Sequence, residues 1–190
     1  MKLSKKYYQN KDVVFLAKDV LGKLLITEID GIRTGGIITE TEAYSEIEKG
    51  CHAYNKRKTD RTKIMYEAGG LSYVYFCYGM HHLFNIVTGK KDTAQAILIR
   101  AIKPSIGIEA ILQRRGKTKV DKHLCNGPAK VCQALGITKE HYGLQLTKEK
   151  IWLSTSSINV NEDQIQITPR IGIDYAEEHK NLPWRFLLNI

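Results

Sequence analysis

No apolar run in the sequence approaches the length a membrane-spanning helix needs. The longest, such as Val13-Val14-Phe15-Leu16-Ala17, fall far short of ~20 residues. The basic start Met1-Lys2-Leu3-Ser4-Lys5-Lys6 is not followed by an apolar stretch of signal-peptide length, so a soluble intracellular protein is expected. Cysteine is scarce, with four residues at 51, 77, 125 and 132 and no two-residue spacing of the zinc-knuckle kind. Neither a structural metal nor an essential disulfide is indicated, and Cys125 and Cys132 read as small buried hydrophobes. Proline occurs four times, and no linker, repeat or low-complexity segment interrupts the chain. One domain spanning residues 1–190 is the economical reading, and 43% hydrophobic residues exclude wholesale disorder.

Acidic residues are also in deficit. Twenty Asp+Glu against 29 Lys+Arg leave a formal charge of +9, which predicts a polyanionic partner without identifying it. Nucleic acid is the first candidate, because basic faces bind phosphates by releasing counterions. Two segments concentrate the charge: Lys56, Arg57, Lys58, Arg61 and Lys63 against Asp60, and Arg114, Arg115, Lys117, Lys119, Lys122 and Lys130 against Asp121.

The pattern predicts a helix over residues 10–23, capped by Asn10 and stopped at Gly22. Strands are expected at 24–26 and 35–42 about a turn at Asp30-Gly31, then a polar irregular segment from 44 to 63. Residues 71–77 and 82–87 form an aromatic and β-branched hairpin around Tyr78-Gly79-Met80-His81, and 94–102 is another strand. Helices are expected at 105–115 and 128–135, and short strands at 151–153 and 164–168. Strands follow one another without alternating helices through 24–102. The fold class is therefore α+β, a single domain with a mainly antiparallel sheet flanked by helices.

Two constellations stand out. In Glu40-Thr41-Glu42-Ala43-Tyr44, a period of two puts Ile38, Glu40, Glu42 and Tyr44 on one strand face and Thr39, Thr41 and Ala43 on the other. A solvent-facing row is the plain account of those carboxylates. The chemical account is a general base beside an aromatic wall, since a partly desolvated carboxylate activates water well. In Tyr73-Val74-Tyr75-Phe76-Cys77-Tyr78-Gly79, Val74 and Phe76 read as core. Tyr78 at a hairpin tip suits insertion between stacked bases, and Tyr44, Tyr75 and His52 could wall a pocket for a flipped base. His81 and His82 lack any metal-ligand spacing and suit a surface turn or phosphate contacts.

These residues carry a resemblance to the alkyladenine (3-methyladenine/methylpurine) DNA glycosylase family. The matching stretches are Glu40 to Tyr44, His52-Ala53, Tyr73 to Met80, Asn85-Ile86, Leu98-Ile99-Arg100-Ala101, Asn126-Gly127-Pro128 through Leu135, and Arg170-Ile171-Gly172-Ile173. They occur in the family's order and cover most of the chain. The resemblance implies an antiparallel sheet that carries a protruding β-hairpin, and base excision from duplex DNA containing damaged purines; a monomeric enzyme with no cofactor and no metal is expected. It implies Glu42 as the base that activates water. Arg100 and the backbone carbonyl of Ile171 would help hold that water. It further implies Tyr44, His52 and Tyr75 around the flipped base, Asn85 in the pocket floor and Tyr78 as the intercalating residue. Lys56, Arg57, Arg61, Lys119, Lys122 and Lys130 are expected on phosphates flanking the flipped nucleotide. Absence of a required lysine nucleophile implies a monofunctional enzyme that leaves an abasic site. A bacterial member would sit in the cytoplasm with the nucleoid, a eukaryotic one in the nucleus.

The residues by themselves leave other readings open. A damage-binding protein without catalysis could share the basic surface and the wedge, though it needs no Glu42 in the pocket. A sugar hydrolase could use Glu40 and Glu42 as an inverting pair, about 7 Å apart along the strand. A single-stranded RNA binder would use the aromatics, but no RNA-recognition signature accompanies them.

Overall fold

The computed structural model describes residues 1–77 and 79–190. Asp30 and Gly31 both take positive φ (53° and 74°), as a two-residue hairpin turn of the primed kind requires. They join β1 (Leu24–Ile29) to β2 (Ile32–Ser45), in register from Leu24↔Ile37 to Ile29↔Ile32. β2 is 14 residues long and organises the molecule. One of its edges pairs along most of its length with β5 (Gln95–Ile106). The other edge is shared, first by β1 and then, at residues 40–42, by β8 (Arg185–Leu188).

Outward from β5 lie β4 (His81–Val87) and β3 (Ser72–Cys77); outward from β1 lies β6 (Ile151–Ser154), and β7 (Ile165–Thr168) pairs with β8. All pairings are antiparallel, giving one eight-stranded sheet. β4 meets β5 only at Asn85, Ile86 and Val87, so the rest of the β3–β4 hairpin projects beyond the sheet, as expected.

The helices are α1 (Lys5–Tyr8), α2 (Val13–Asp19), α3 (Ile108–Arg115) and α4 (Pro128–Leu135). Leu16 and Ala17 of α2, Ile111 of α3 and Val131 and Leu135 of α4 bury against Ile38, Ile97 and Ile99 of the sheet. A smaller cluster of Cys51, Met65, Tyr66, Tyr73 and Ala96 supports the 46–71 segment. α4 has the bounds its signals predict, with Pro128 at its start and Gly136 (φ 71°) at its end.

Five local expectations are corrected, the first being Phe76, which is exposed on the projecting hairpin and not part of the core. The cap of α2 is Asp12, whose carboxylate accepts from Phe15 N–H, while Asn10 accepts instead from Asp12 N–H; the helix is also shorter than 10–23. β5 runs on to Ile106, so α3 starts at Ile108 after Gly107 rather than at 105. β2 continues to Ser45, into the segment expected to be irregular from 44. Ile38 is not on the face of Glu40 and Glu42. The register steps from Ile38↔Ile102 to Glu40↔Ala101, so Thr39 is a bulge, and Ile38 turns into the main core.

Candidate active site

A second irregularity answers the first. Between Glu40↔Ala101 and Thr41↔Ile99, β5 carries the extra residue, and that residue is Arg100. Bulges re-aim side chains, and this one brings Arg100 onto two carboxylates of β2. Its Nε donates to Glu40 Oε1 at 2.7 Å and its Nη1 to Glu42 Oε2 at 3.3 Å. Arg185 Nε, from β8, donates to the same Glu40 oxygen at 2.7 Å. Burial works against the charge of Arg100, but Glu42 and Glu40 more than offset it and hold its pKa above the ordinary value.

Glu42 is fully buried, which excludes the solvent-facing row. Beside Arg100, Tyr44 Oη donates to its Oε2 and the Ile171 N–H to its Oε1, each at 2.8 Å. All three partners are donors, the complement of an acceptor-only carboxylate. The Thr41 hydroxyl, one residue back, points the opposite way and donates to the Ala17 carbonyl of α2 at 2.7 Å. Strand alternation thus sends Thr41 to the helix layer and Glu42 to the other face.

In front of Glu42 lies a cavity of about 280 Å³. Tyr44, Arg100 and Ile171, the three partners of Glu42, line it together with His52, Tyr73, Tyr75, Asn85, Leu98 and Arg61. Glu42 itself stands behind this lining. The rings of His52 and Tyr75 meet edge-on at 4.8 Å, and Tyr73 and Tyr75 lie 5.4 Å apart. Asn85 is buried and its amide nitrogen donates to the Tyr73 carbonyl at 3.1 Å. Burial, and then the Glu42 charge, raises the Tyr44 hydroxyl well above the usual tyrosine range, so it stays a donor. Burial, Arg61 and Arg57 lower His52 to about 4, leaving a neutral imidazole at neutral pH.

Behind Tyr44 is a buried ion pair that supports the wall. Arg170 donates to both oxygens of Glu48 at 2.7 Å and to the Ala43 carbonyl at 2.9 Å. Its guanidinium carbon lies 4.7 Å from the Tyr44 ring and 5.2 Å from that of Trp184. The neighbouring Ile171 N–H then reaches Glu42 from a backbone fixed by this anchor.

The structure therefore brings together Glu42, Arg100, Tyr44, His52, Tyr75, Asn85 and Ile171. The Ile171 backbone meets Glu42 through its N–H. Tyr78 lies outside the described residues; on either side of it, Cys77 lines the cavity and Gly79 and Met80 are exposed. Arg57 and Arg61 line a recess of about 470 Å³ that shares His52 and Tyr175 with the cavity. Lys56 is exposed beside them, in a left-handed conformation (φ 58°). Lys119 and Lys122 are exposed between α3 and α4, and Lys130 donates to Asn126 Oδ1 at 2.7 Å. Arg114 and Arg115 are engaged internally, with Thr34, Ala134, Leu124 and Gln133. A further recess of about 650 Å³ between α2 and the 155–165 segment shares no residue with the cavity.

Sequence reasoning gave no role to Arg170, Arg185 or Tyr175, or to Tyr73 as the partner of His52. Arg170 stands beside a recognised motif, but its partner Glu48 is 122 positions away, and no local pattern marks the pair.

The sequence that builds this projecting hairpin, buried glutamate and aromatic cavity matches a known family along nearly its whole length. The chain belongs to the methylpurine-DNA glycosylase family, which it matches over residues 6–189. It is 53% identical over 190 residues to a protein of Chlamydia felis (strain Fe/C-56), covering 99% of this chain and 96% of that one. It is 46% identical to a protein of Bacillus thuringiensis (strain Al Hakam), covering 92% and 90%. Identity is 41% to a protein of Clostridium botulinum (strain Alaska E43 / Type E3), covering 99% and 96%. All three carry 3-methyladenine DNA glycosylase as a provisional name.

Proposed function

We propose that this chain is a monofunctional DNA glycosylase, acting as a monomer and one domain on duplex DNA in repair of alkylated purines. The damaged nucleotide turns out of the helix into the cavity, Tyr44, His52 and Tyr75 enclose its base, and Tyr78 fills the vacated step. A water loses its proton to Glu42 while its oxygen bonds to C1′ of the deoxyribose. The glycosidic electron pair leaves with the base, and the strand is left abasic and intact.

One observation carries this reading: a fully buried carboxylate, Glu42, held by Tyr44, Arg100 and Ile171, which themselves line an aromatic cavity. A carboxylate supplies a base without a metal or a cofactor. Glu40 is engaged by Arg100 and Arg185, both donating to its Oε1, and does not line the cavity, which disfavours a sugar-hydrolase pair. A neutral His52 leaves aromatic faces free of one repelling charge when the incoming base is cationic.

The test is incubation with a duplex bearing a single 3-methyladenine or 7-methylguanine. Free base is expected, with strand scission only after alkali and no covalent adduct under borohydride. A trapped adduct contradicts the monofunctional mechanism; tight binding with no released base supports the non-catalytic binder instead.

A further inference from the structure

Arg61 was expected on a phosphate, yet its side chain is folded against the cavity wall. Its Nε donates to Tyr73 Oη at 3.2 Å, its Nη2 lies 3.3 Å from His52 Nε2, and its guanidinium carbon lies 4.5 Å from the Tyr75 ring centroid. An arginine nitrogen only donates, so His52 Nε2 is the acceptor and the single ring proton sits on Nδ1. That Nδ1 is 2.8 Å from Tyr73 Oη, which thus accepts from both Arg61 and His52. Arg100, Arg170 and Arg185 are each within ion-pair distance of a carboxylate. Among the described residues no carboxylate lies that close to Arg61. The cavity wall therefore holds an exposed guanidinium whose charge is met by solvent, and a base entering the cavity displaces the solvent only from the face it covers.

The charge of the leaving base decides what such a group does. When the glycosidic bond breaks, its electron pair goes to the purine. A purine alkylated at N3 or N7 is cationic in DNA and departs neutral, so it gains nothing from a neighbouring cation. A neutral damaged purine departs as an anion, and a guanidinium held beside it lowers that barrier. We infer that Arg61 is a specificity-determining residue, placed to stabilise the departure of neutral damaged purines at some cost in binding cationic ones. Water still bonds to C1′ and gives its proton to Glu42; the purine anion rests against Arg61 and takes its proton from solvent after release. This inference rests on the glycosylase reading.

The experiment compares two duplexes identical except for one base, hypoxanthine (neutral) or 7-methylguanine (cationic), under single-turnover conditions. Arg61→Gln keeps a planar polar side chain without the charge, and Arg61→Lys restores the charge without the fork. Whatever change Arg61→Gln brings to both rates, the hypoxanthine-to-7-methylguanine ratio is expected to fall about 100-fold. Arg61→Lys is expected to recover part of that loss, with circular dichroism showing both variants folded. A phosphate contact or a merely structural wall moves both rates together, and an unchanged ratio overturns the inference. So does wild-type protein that releases 7-methylguanine and no hypoxanthine. If the wild type releases neither base, it is the glycosylase reading that has failed.

Discussion

His52 touches groups that together deny it a second proton. Arg61 donates to one ring nitrogen, Tyr73 meets the other, and burial removes the water that would solvate an imidazolium. With its pKa at about 4 in the folded chain against an ordinary 6.5, the unfolded chain takes up a proton first as the pH falls. Stability should therefore decline from about pH 6.5 to about pH 4 and lose nothing more from this group below that. The loss amounts to about 3 kcal/mol. Urea unfolding of wild type and His52→Gln at pH 7 and pH 4.5 reads it out: the wild type should lose the more, and parallel losses would contradict the assignment. At this scale much of the site was legible, for a chemical reason. Carboxylates and tyrosines sharing strand faces have no easy place in a core, so Glu42, Tyr44 and Tyr75 could be singled out. Arg61 was legible only as one more cation in a basic run, because its stacking on Tyr75 depends on how the 46–71 segment folds back over β3.

Elements were readable where their ends carry local chemistry. Asp30-Gly31 fixes the β1–β2 turn through two positive φ values, and Pro128 with Gly136 brackets α4. The paired bulges at Thr39 and Arg100 carry no such signal, since neither residue type demands an extra position in a strand. Their effect is nevertheless large. Without them, simple alternation would place Ile38 beside Glu40 and Glu42, facing away from the core it in fact joins. β8 escaped notice for a different reason. It is only four residues long, too short to show an alternating pattern, and it is defined by the edge of β2 that it covers. It also brings Arg185 to Glu40 and buries Phe186, so the end of the chain is part of the scaffold behind Glu42.

Over the whole molecule, the excess of nine positive charges divides by what each cation touches. Arg100, Arg170 and Arg185 are paired with carboxylates inside the fold, and Arg114 and Arg115 brace α3 against α4. Lys56, Arg57, Lys119 and Lys122 are among the exposed cations, and the proposed function places them, with Lys130 at the start of α4, on phosphates. Pro128 of that helix lines the cavity, and Arg57 lines the recess beside it. Replacing Lys56, Arg57, Lys119 and Lys122 together by Gln should weaken duplex binding alike for damaged and undamaged DNA. The slope of log affinity against log salt should flatten by about one for each phosphate that is no longer neutralised. Titration over a range of salt concentrations measures both, and a change in lesion preference would contradict a phosphate role.

In the proposed reaction Glu42 is the base that activates water. Its most direct test is single-turnover base release from a 7-methylguanine duplex by wild type and Glu42→Gln, with duplex affinity and folding measured on the same samples. Gln keeps the shape but gives up the proton acceptor. Base release is expected to fall by a factor of at least about 100 while the folded variant still binds the damaged duplex. Release by the variant at the wild-type rate would contradict that role.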